Sequence, residues 1–284
     1  MRYIMLRFPE GKPKAFTMSY DDGVKDDIRF IETINKYNLK ATFNLNNSAF
    51  DNENNLNEQE IKDYILANGH EIAIHGEFHR ANGIIAPKDG IADVLNCRIA
   101  LEKLSGKIIR GMAYPDCGIT RFSQPTTYSK VKNYLTDLGI AYSRTLSGDN
   151  NSFLLPNDWH AWMPTAHHRN PKVLDYLNQF VNVDISKGYL PSLYPRLFYL
   201  WGHTYEFENH SQWDLLEEIC QTVTKYDNIW FATNIEIYDY VTAYNSLIFS
   251  ADNSLVYNPT LLTVWFTADN VLYKIDSGET IEIK

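Results

Sequence analysis

The sequence predicts an α/β protein in which βα units repeat around a parallel sheet. Three observations carry this. Apolar runs of strand length alternate with segments of helical period, no repeat of fixed period or low-complexity tract interrupts them, and polar residues gather where several strand-like runs end. With 284 residues, 44% of them hydrophobic, the chain is long enough for one large barrel or two smaller domains.

Lys14 to Tyr20 reads as the first strand of the sheet and Asp26 to Tyr37 as the helix after it. Ala41 to Leu45 follows as a strand, then a helix from Glu58 to Ala67 ending at Gly69, which suits the positive φ of a helix C-cap. Glu71 to His75 is the next strand, and a helix from about Asp89 to Leu104 leads to a strand over Ile108 to Tyr114. A helix over Tyr128 to Leu138, stopped by Gly139, and a strand over Ala141 to Leu146 continue the period. After a Pro- and aromatic-rich stretch beyond Gly148, it resumes with helix Pro171 to Phe180, strand Leu197 to Trp201, helix Gln212 to Thr224, strand Ile229 to Ala232 and helix Ile235 to Tyr244. This makes seven or eight βα units. Beyond a boundary near residue 246, short alternating runs at Leu261 to Phe266 and Val271 to Ile275 predict a small β-hairpin appendage. Its apolar content is too low for an independent domain, so residues 1–245 are expected as a barrel and 246–284 as an appendage packed on it.

A net charge of −9 disfavours nucleic acid and anionic membrane surfaces as partners, since neither gains from the overall field. No stretch approaches the roughly 20 apolar residues of a membrane span. Cys97, Cys117 and Cys220 are few, odd in number and far apart, which fits free thiols rather than a disulfide framework. The segment from Met1 to Pro9 carries two Arg and only a short apolar run, which reads as a strand rather than a secretory leader and gives a cytoplasmic expectation.

Two stretches concentrate the chemistry. Ser19-Tyr20-Asp21-Asp22-Gly23 closes the first sheet strand, and Glu71-Ile72-Ala73-Ile74-His75-Gly76-Glu77-Phe78-His79 follows about fifty residues later. Asp22, His75 and His79 form a candidate metal triad. Two imidazoles and a carboxylate, with the fourth position left to water, are the donors of a catalytic zinc site. Zinc is favoured by ligand type, with cobalt, nickel or iron as alternatives. Asp21 is then free to act as a base. In a parallel barrel, C-terminal strand ends converge on one face, which would bring these residues together with Arg110 and His203.

These motifs resemble those of the NodB-homology polysaccharide deacetylases, carbohydrate esterase family 4, whose first motif is a paired Asp before Gly and whose second is His followed by His four residues on. The resemblance covers roughly residues 14 to 245 and implies a distorted parallel (β/α) barrel that removes an acyl group from a sugar amide or ester. Phe198-Tyr199-Leu200-Trp201-Gly202-His203 is similar to the family's late motif, which implies that His203 protonates the departing group. Asp158-Trp159-His160-Ala161-Trp162 resembles the fourth motif, implying that Asp158 orients His203 and Trp162 forms a pocket wall. Arg110-Gly111-Met112-Ala113-Tyr114-Pro115-Asp116 resembles the third motif with a departure. Where the family has Arg two residues before the Pro and Tyr after it, this sequence has Ala113 and Asp116. Arg110 is therefore the candidate to reach Asp21, and Tyr114 and the backbone N–H of Asp116 are candidates for contacts to substrate and oxyanion.

The expected protein is thus a metal-dependent deacetylase of N- or O-acetylated saccharides. A hydrolase of small non-sugar amides and a non-catalytic carbohydrate-binding barrel are the alternatives. The sequence assigns no oligomeric state.

Overall fold

The computed structural model describes residues 2–146, 148–185 and 193–284. In chain order the elements begin with β1 (Ile4–Arg7), β2 (Lys14–Asp21), α1 (Asp26–Asn35) and β3 (Thr42–Leu45). A turn of helix α2 (Glu58–Glu60) runs into a π-helix (Ile61–Leu66), followed by β4 (Glu71–Ile74), α3 (Pro87–Ser105), β5 (Gly111–Ala113), α4 (Tyr128–Asp137) and β6 (Tyr142–Arg144). Then come β7 (Ala166–His167), α5 (Val173–Asn182), β8 (Arg196–Gly202), α6 (Tyr205–Asn209), α7 (Trp213–Val223), β9 (Ile229–Phe231) and α8 (Asn234–Asn245). The chain closes with β10 (Ile248–Phe249), β11 (Leu255–Tyr257), β12 (Val264–Ala268), β13 (Val271–Ile275) and β14 (Thr280–Glu282).

Strands β2 to β9 form one parallel, curled sheet of eight strands in the order β6-β5-β4-β3-β2-β8-β7, with β9 also against β2. All eight residues of β2 are buried, as a central strand covered on both faces requires. Register explains how β2 serves three neighbours. Ser19 to Asp21 pair with Thr42 to Asn44 of β3, while Lys14 to Phe16 pair with Ile229 to Phe231 of β9. On the other side β8 runs alongside from Lys14 to Tyr20. The segment after β6 spans the remaining gap: Trp162 N–H donates to Ser143 O of β6, and Thr165 N–H donates to Tyr199 O of β8. The result is the distorted barrel expected, with apolar helix faces packed around it.

The appendage is larger than the hairpin expected from the sequence. Strands β12 and β13 do form a hairpin, but β1 joins it as a third antiparallel strand, with Ile4 opposite Ala268 and Arg7 opposite Trp265. A second antiparallel sheet pairs β10, β11 and β14. The three cysteines are free. Among the described residues, no helix is long and apolar enough to cross a membrane.

Candidate metal centre and active site

The site is built where β2, β4 and β8 end. Asp21 is the last residue of β2 and Asp22 follows it with φ at 79°, a left-handed turn that costs a non-glycine residue energy. His75 follows β4, and Gly76, at φ 77°, turns the chain sharply so that His79, at φ 53°, comes back beside it. A Cβ at Gly76 would lie 2.3 Å from an Asp93 oxygen, so no larger residue fits that turn. The Asn46 side chain donates to the carbonyls of His75 and Gly76, and Asp93 accepts from the Phe78 N–H at 2.9 Å. Backbone in this sparsely populated region persists only where surrounding bonds hold it, as these do.

Asp22, His75 and His79 come together as the sequence predicts. Nε2 of His75 lies 3.6 Å and Nε2 of His79 3.5 Å from Oδ1 of Asp22, and the three donor atoms lie within 4.8 Å of one another. Nδ1 of His75 is 2.9 Å from the Ala113 carbonyl, which fixes the N–H there and leaves Nε2 as a lone pair facing the cluster. Burial lowers the pKa of His75 despite Asp21 and Asp22, so it is the neutral imidazole a metal needs. The donor set and its orientation therefore fit a divalent ion.

Asp21 lies beside this cluster, buried. Its Oδ1 accepts from Asn44 Nδ2 at 2.8 Å and its Oδ2 from Arg144 Nη2 at 2.5 Å. Burial would raise its pKa, but Arg144, His75, His203 and Asn44 outweigh this and hold it below the usual carboxylate range. His203 faces both carboxylates, with Nε2 4.0 Å from Asp21 Oδ2 and 3.9 Å from Asp22 Oδ2. Its Nδ1 and its backbone N–H both point to Glu206 Oε2, at 3.4 and 3.1 Å. Burial opposes the imidazolium, yet Glu206, Asp21 and Asp22 together raise the pKa of His203 above its ordinary value.

Four expectations are corrected. Arg110 does not reach Asp21: it lies before β5, at the opposite end from the site, its Nη2 donating to both Asp239 carboxylate oxygens at 2.9 and 2.6 Å. Asp158 does not orient His203. Its carboxylate accepts from Tyr128, Lys132 and the His160 N–H, capping the 3-10 turn Trp159–Ala161. Trp162 is fully buried among Tyr142, Trp159 and Tyr199, because its backbone pairs with β6 and turns the ring into the core. Tyr114 is buried too, its hydroxyl donating to His160 O. Asp116 lies at the exposed rim with φ at 49°, its carboxylate 3.7 Å from Nδ1 of His79.

The sequence reading passed over Arg144, Asn44 and Glu206. A charged residue inside the apolar strand run Ala141 to Leu146, and a carboxylate three residues after His203 at the start of a helix, were the available signals. A second grouping, His167, His203 and Glu206, has metal-like spacing but different chemistry. Nδ1 of His167 accepts from the Arg169 N–H at 3.1 Å, so its Nε2, 3.0 Å from Glu206, carries the hydrogen and donates. Glu206 is thus an acceptor shared by imidazoles, and its pKa falls far below normal for that reason even against burial.

Residues 9–140 match the family model described as polysaccharide deacetylase. No curated protein matches in sequence. Among solved structures, one from Mycobacterium smegmatis, named provisionally as a polysaccharide deacetylase, superposes with a TM-score of 0.60 at 15% identity, covering 86% of this chain and 96% of its own. The allantoinase Puue gives 0.58 at 12% identity, with 82% and 91% covered. A carbohydrate esterase family 4 pseudoenzyme mutant with restored activity gives 0.52 at 15% identity, with 83% and 70% covered. At these identities the structures show a shared fold. The stretch holding both motifs lies within the residues that match this family model, in keeping with the resemblance read from the paired Asp and the His-x-x-x-His spacing.

Proposed function

We propose that this protein is a metal-dependent hydrolase that removes an acetyl group from an N- or O-acetylated saccharide. The observation that carries it is the placement of buried Asp21 and of His203, whose Oδ2 and Nε2 lie 4.0 Å apart, beside a metal-competent triad whose donor atoms lie within 4.8 Å of one another. Asp22, His75 and His79 would hold the ion, zinc by ligand type with cobalt, nickel or iron as alternatives, and it would supply Lewis acidity to the site.

The chain's own residues account for the proton movements. Asp21, kept anionic by Arg144, takes a proton from the attacking water. His203, whose Nδ1 is held by Glu206, keeps Nε2 towards the site to protonate the departing amine or alcohol. The backbone N–H of Asp116 is the candidate donor to the oxyanion.

Acetate release from a panel of acetylated saccharides, by zinc- or cobalt-loaded protein, tests the reading. Wild-type release that Asp21→Asn reduces by about 10²-fold or more, and that a chelator abolishes, is expected. Cleavage of small amides but no saccharide would turn the assignment to an amidohydrolase. Saccharide binding without turnover, unchanged in Asp21→Asn, would make the barrel a binding protein.

A further inference from the structure

We propose that Asp116 is a positioning residue for His79: its carboxylate holds the ring from behind, keeps the ring hydrogen on Nδ1 and so tightens the grip of the triad on a divalent ion. This rests on the reading of Asp22, His75 and His79 as the ligand set.

His79 lies between two carboxylates. Oδ1 of Asp22 is 3.5 Å from Nε2 on the side of the cluster, and Oδ1 of Asp116 is 3.7 Å from Nδ1 on the other side. An imidazole that gives a lone pair to a metal carries its hydrogen on the other nitrogen, and that hydrogen needs an acceptor. For His75 the acceptor is the Ala113 carbonyl at 2.9 Å. For His79 the group in that place is the Asp116 carboxylate, three residues further along the same strand exit. The end of β5 thus orients one ligand by its backbone and faces the other with a side chain. At 3.7 Å the second contact is an approach rather than a closed hydrogen bond, and a side chain 60% exposed has the freedom to turn and close it. Asp116 also stands where this sequence departs from the third motif, so the carboxylate is a feature of this chain.

The backbone holds the two residues in register. Asp116 at φ 49° and His79 at φ 53° are both left-handed, a conformation that survives only where neighbours enforce it. Within the turn, the Gly118 N–H donates to Pro115 O at 2.8 Å. The segment after His79 is then laced to the segment after Asp116. Gly83 N–H donates to Gly118 O at 2.8 Å, Ser123 N–H donates to Gly83 O at 3.0 Å, and the Thr126 hydroxyl donates to Ile85 O at 2.7 Å. An acid serving only solubility needs no such register. Solvent screens the charge at this exposure, so orientation of the ring hydrogen carries the effect, and an amide oxygen in the same place keeps part of it.

The experiment measures the zinc affinity of wild type, Asp116→Asn and Asp116→Gly by competition with a chelator, with thermal unfolding of the metal-free proteins alongside. Both replacements accept a left-handed backbone and keep the N–H at position 116. Asp116→Gly is expected to bind zinc about 10- to 100-fold more weakly, the usual cost of losing a group that orients a ligating imidazole. Asp116→Asn falls between it and wild type, and the metal-free unfolding temperatures stay alike. A residue needed only for the turn would leave both affinities at the wild-type level.

Zinc bound as tightly by folded Asp116→Gly as by wild type overturns the proposal. If that variant does not fold, Asp116→Asn decides: a loss of roughly threefold or more supports the role, and unchanged affinity rejects it. A wild type that takes up no zinc, cobalt, nickel or iron removes the ligand set and the proposal with it. Affinity is read without turnover. A wild type that binds zinc and releases no acetate therefore rejects the deacetylase reading, while the same comparison still decides the role of Asp116.

Discussion

Glu206 and Asp158 offer the sharpest contrast at the scale of single residues. Both are carboxylates near motif histidines, and only the geometry separates them. Glu206 accepts from Nδ1 and the backbone N–H of His203, whereas Asp158 is spent on Tyr128, Lys132 and a helical turn. His203→Ala is expected to lower kcat by about 10²- to 10⁴-fold, the usual share of a general acid. Glu206→Gln should cost roughly 10- to 100-fold, as partners that orient an imidazole do, because an amide no longer dictates which ring nitrogen carries the hydrogen. Asp158→Asn should leave kcat at the wild-type level. Equal losses in the two carboxylate variants, measured on folded protein, would remove Glu206 from the role. What the sequence showed at this scale was the triad and the two flanking groups, because each sits in a short motif that is recognisable on its own. It did not show Arg144 or Glu206, because strand register and helix geometry decide which charges meet.

Among the elements, the N-terminal end of the barrel carries a half-buried carboxylate that the site does not use. Glu71 opens β4 and accepts from Tyr142 of β6 at 2.7 Å, Thr42 of β3 at 2.8 Å and the Ile235 N–H at the start of α8 at 2.9 Å. Gly111 makes this possible, since a Cβ there would lie 2.3 Å from the Tyr142 hydroxyl and 2.6 Å from Glu71. Burial raises the Glu71 carboxyl to about 7, with Glu236 adding to it and the three hydrogen bonds only partly offsetting it. Its folded pKa therefore exceeds the unfolded value of 4.5, and the folded state holds a proton the unfolded chain releases. The contribution is complete below 4.5 and is lost as pH rises towards about 7. Glu71→Gln should flatten that fall when urea midpoints are compared across the window, and an unchanged slope would show that another group titrates there. Element positions were legible because period and glycine stops are local. The shortness of β5, against the longer run expected, reflects pairing geometry that apolar content alone does not encode.

Taken as a whole, the molecule joins its two ends through the appendage. Local pattern identified β12 and β13, but the partnership of β1 with β12 spans almost the entire chain, and no local rule specifies such a pair. Its consequence is structural. Tyr240 of α8 donates its hydroxyl to Arg7 O and accepts from the Trp265 N–H, so one residue ties β1, α8 and β12 together. Phe8, fully buried, packs on Trp230 and Tyr240, and Val264, Phe266, Ile275 and Ile283 form a core with Ala243 and Leu247. Removing residues 246–284 would leave β1 without its strand partner and uncover this apolar surface, inviting edge pairing between molecules. The truncated chain is therefore expected to unfold at lower temperature and to aggregate. Phe266→Ala in the full chain should cost about 3–5 kcal/mol, the range for emptying a buried aromatic site. A truncated chain that stays monomeric with the full-length unfolding temperature would make the appendage a separate passenger, whereas a joint loss of stability and acetate release would make it part of the barrel's foundation.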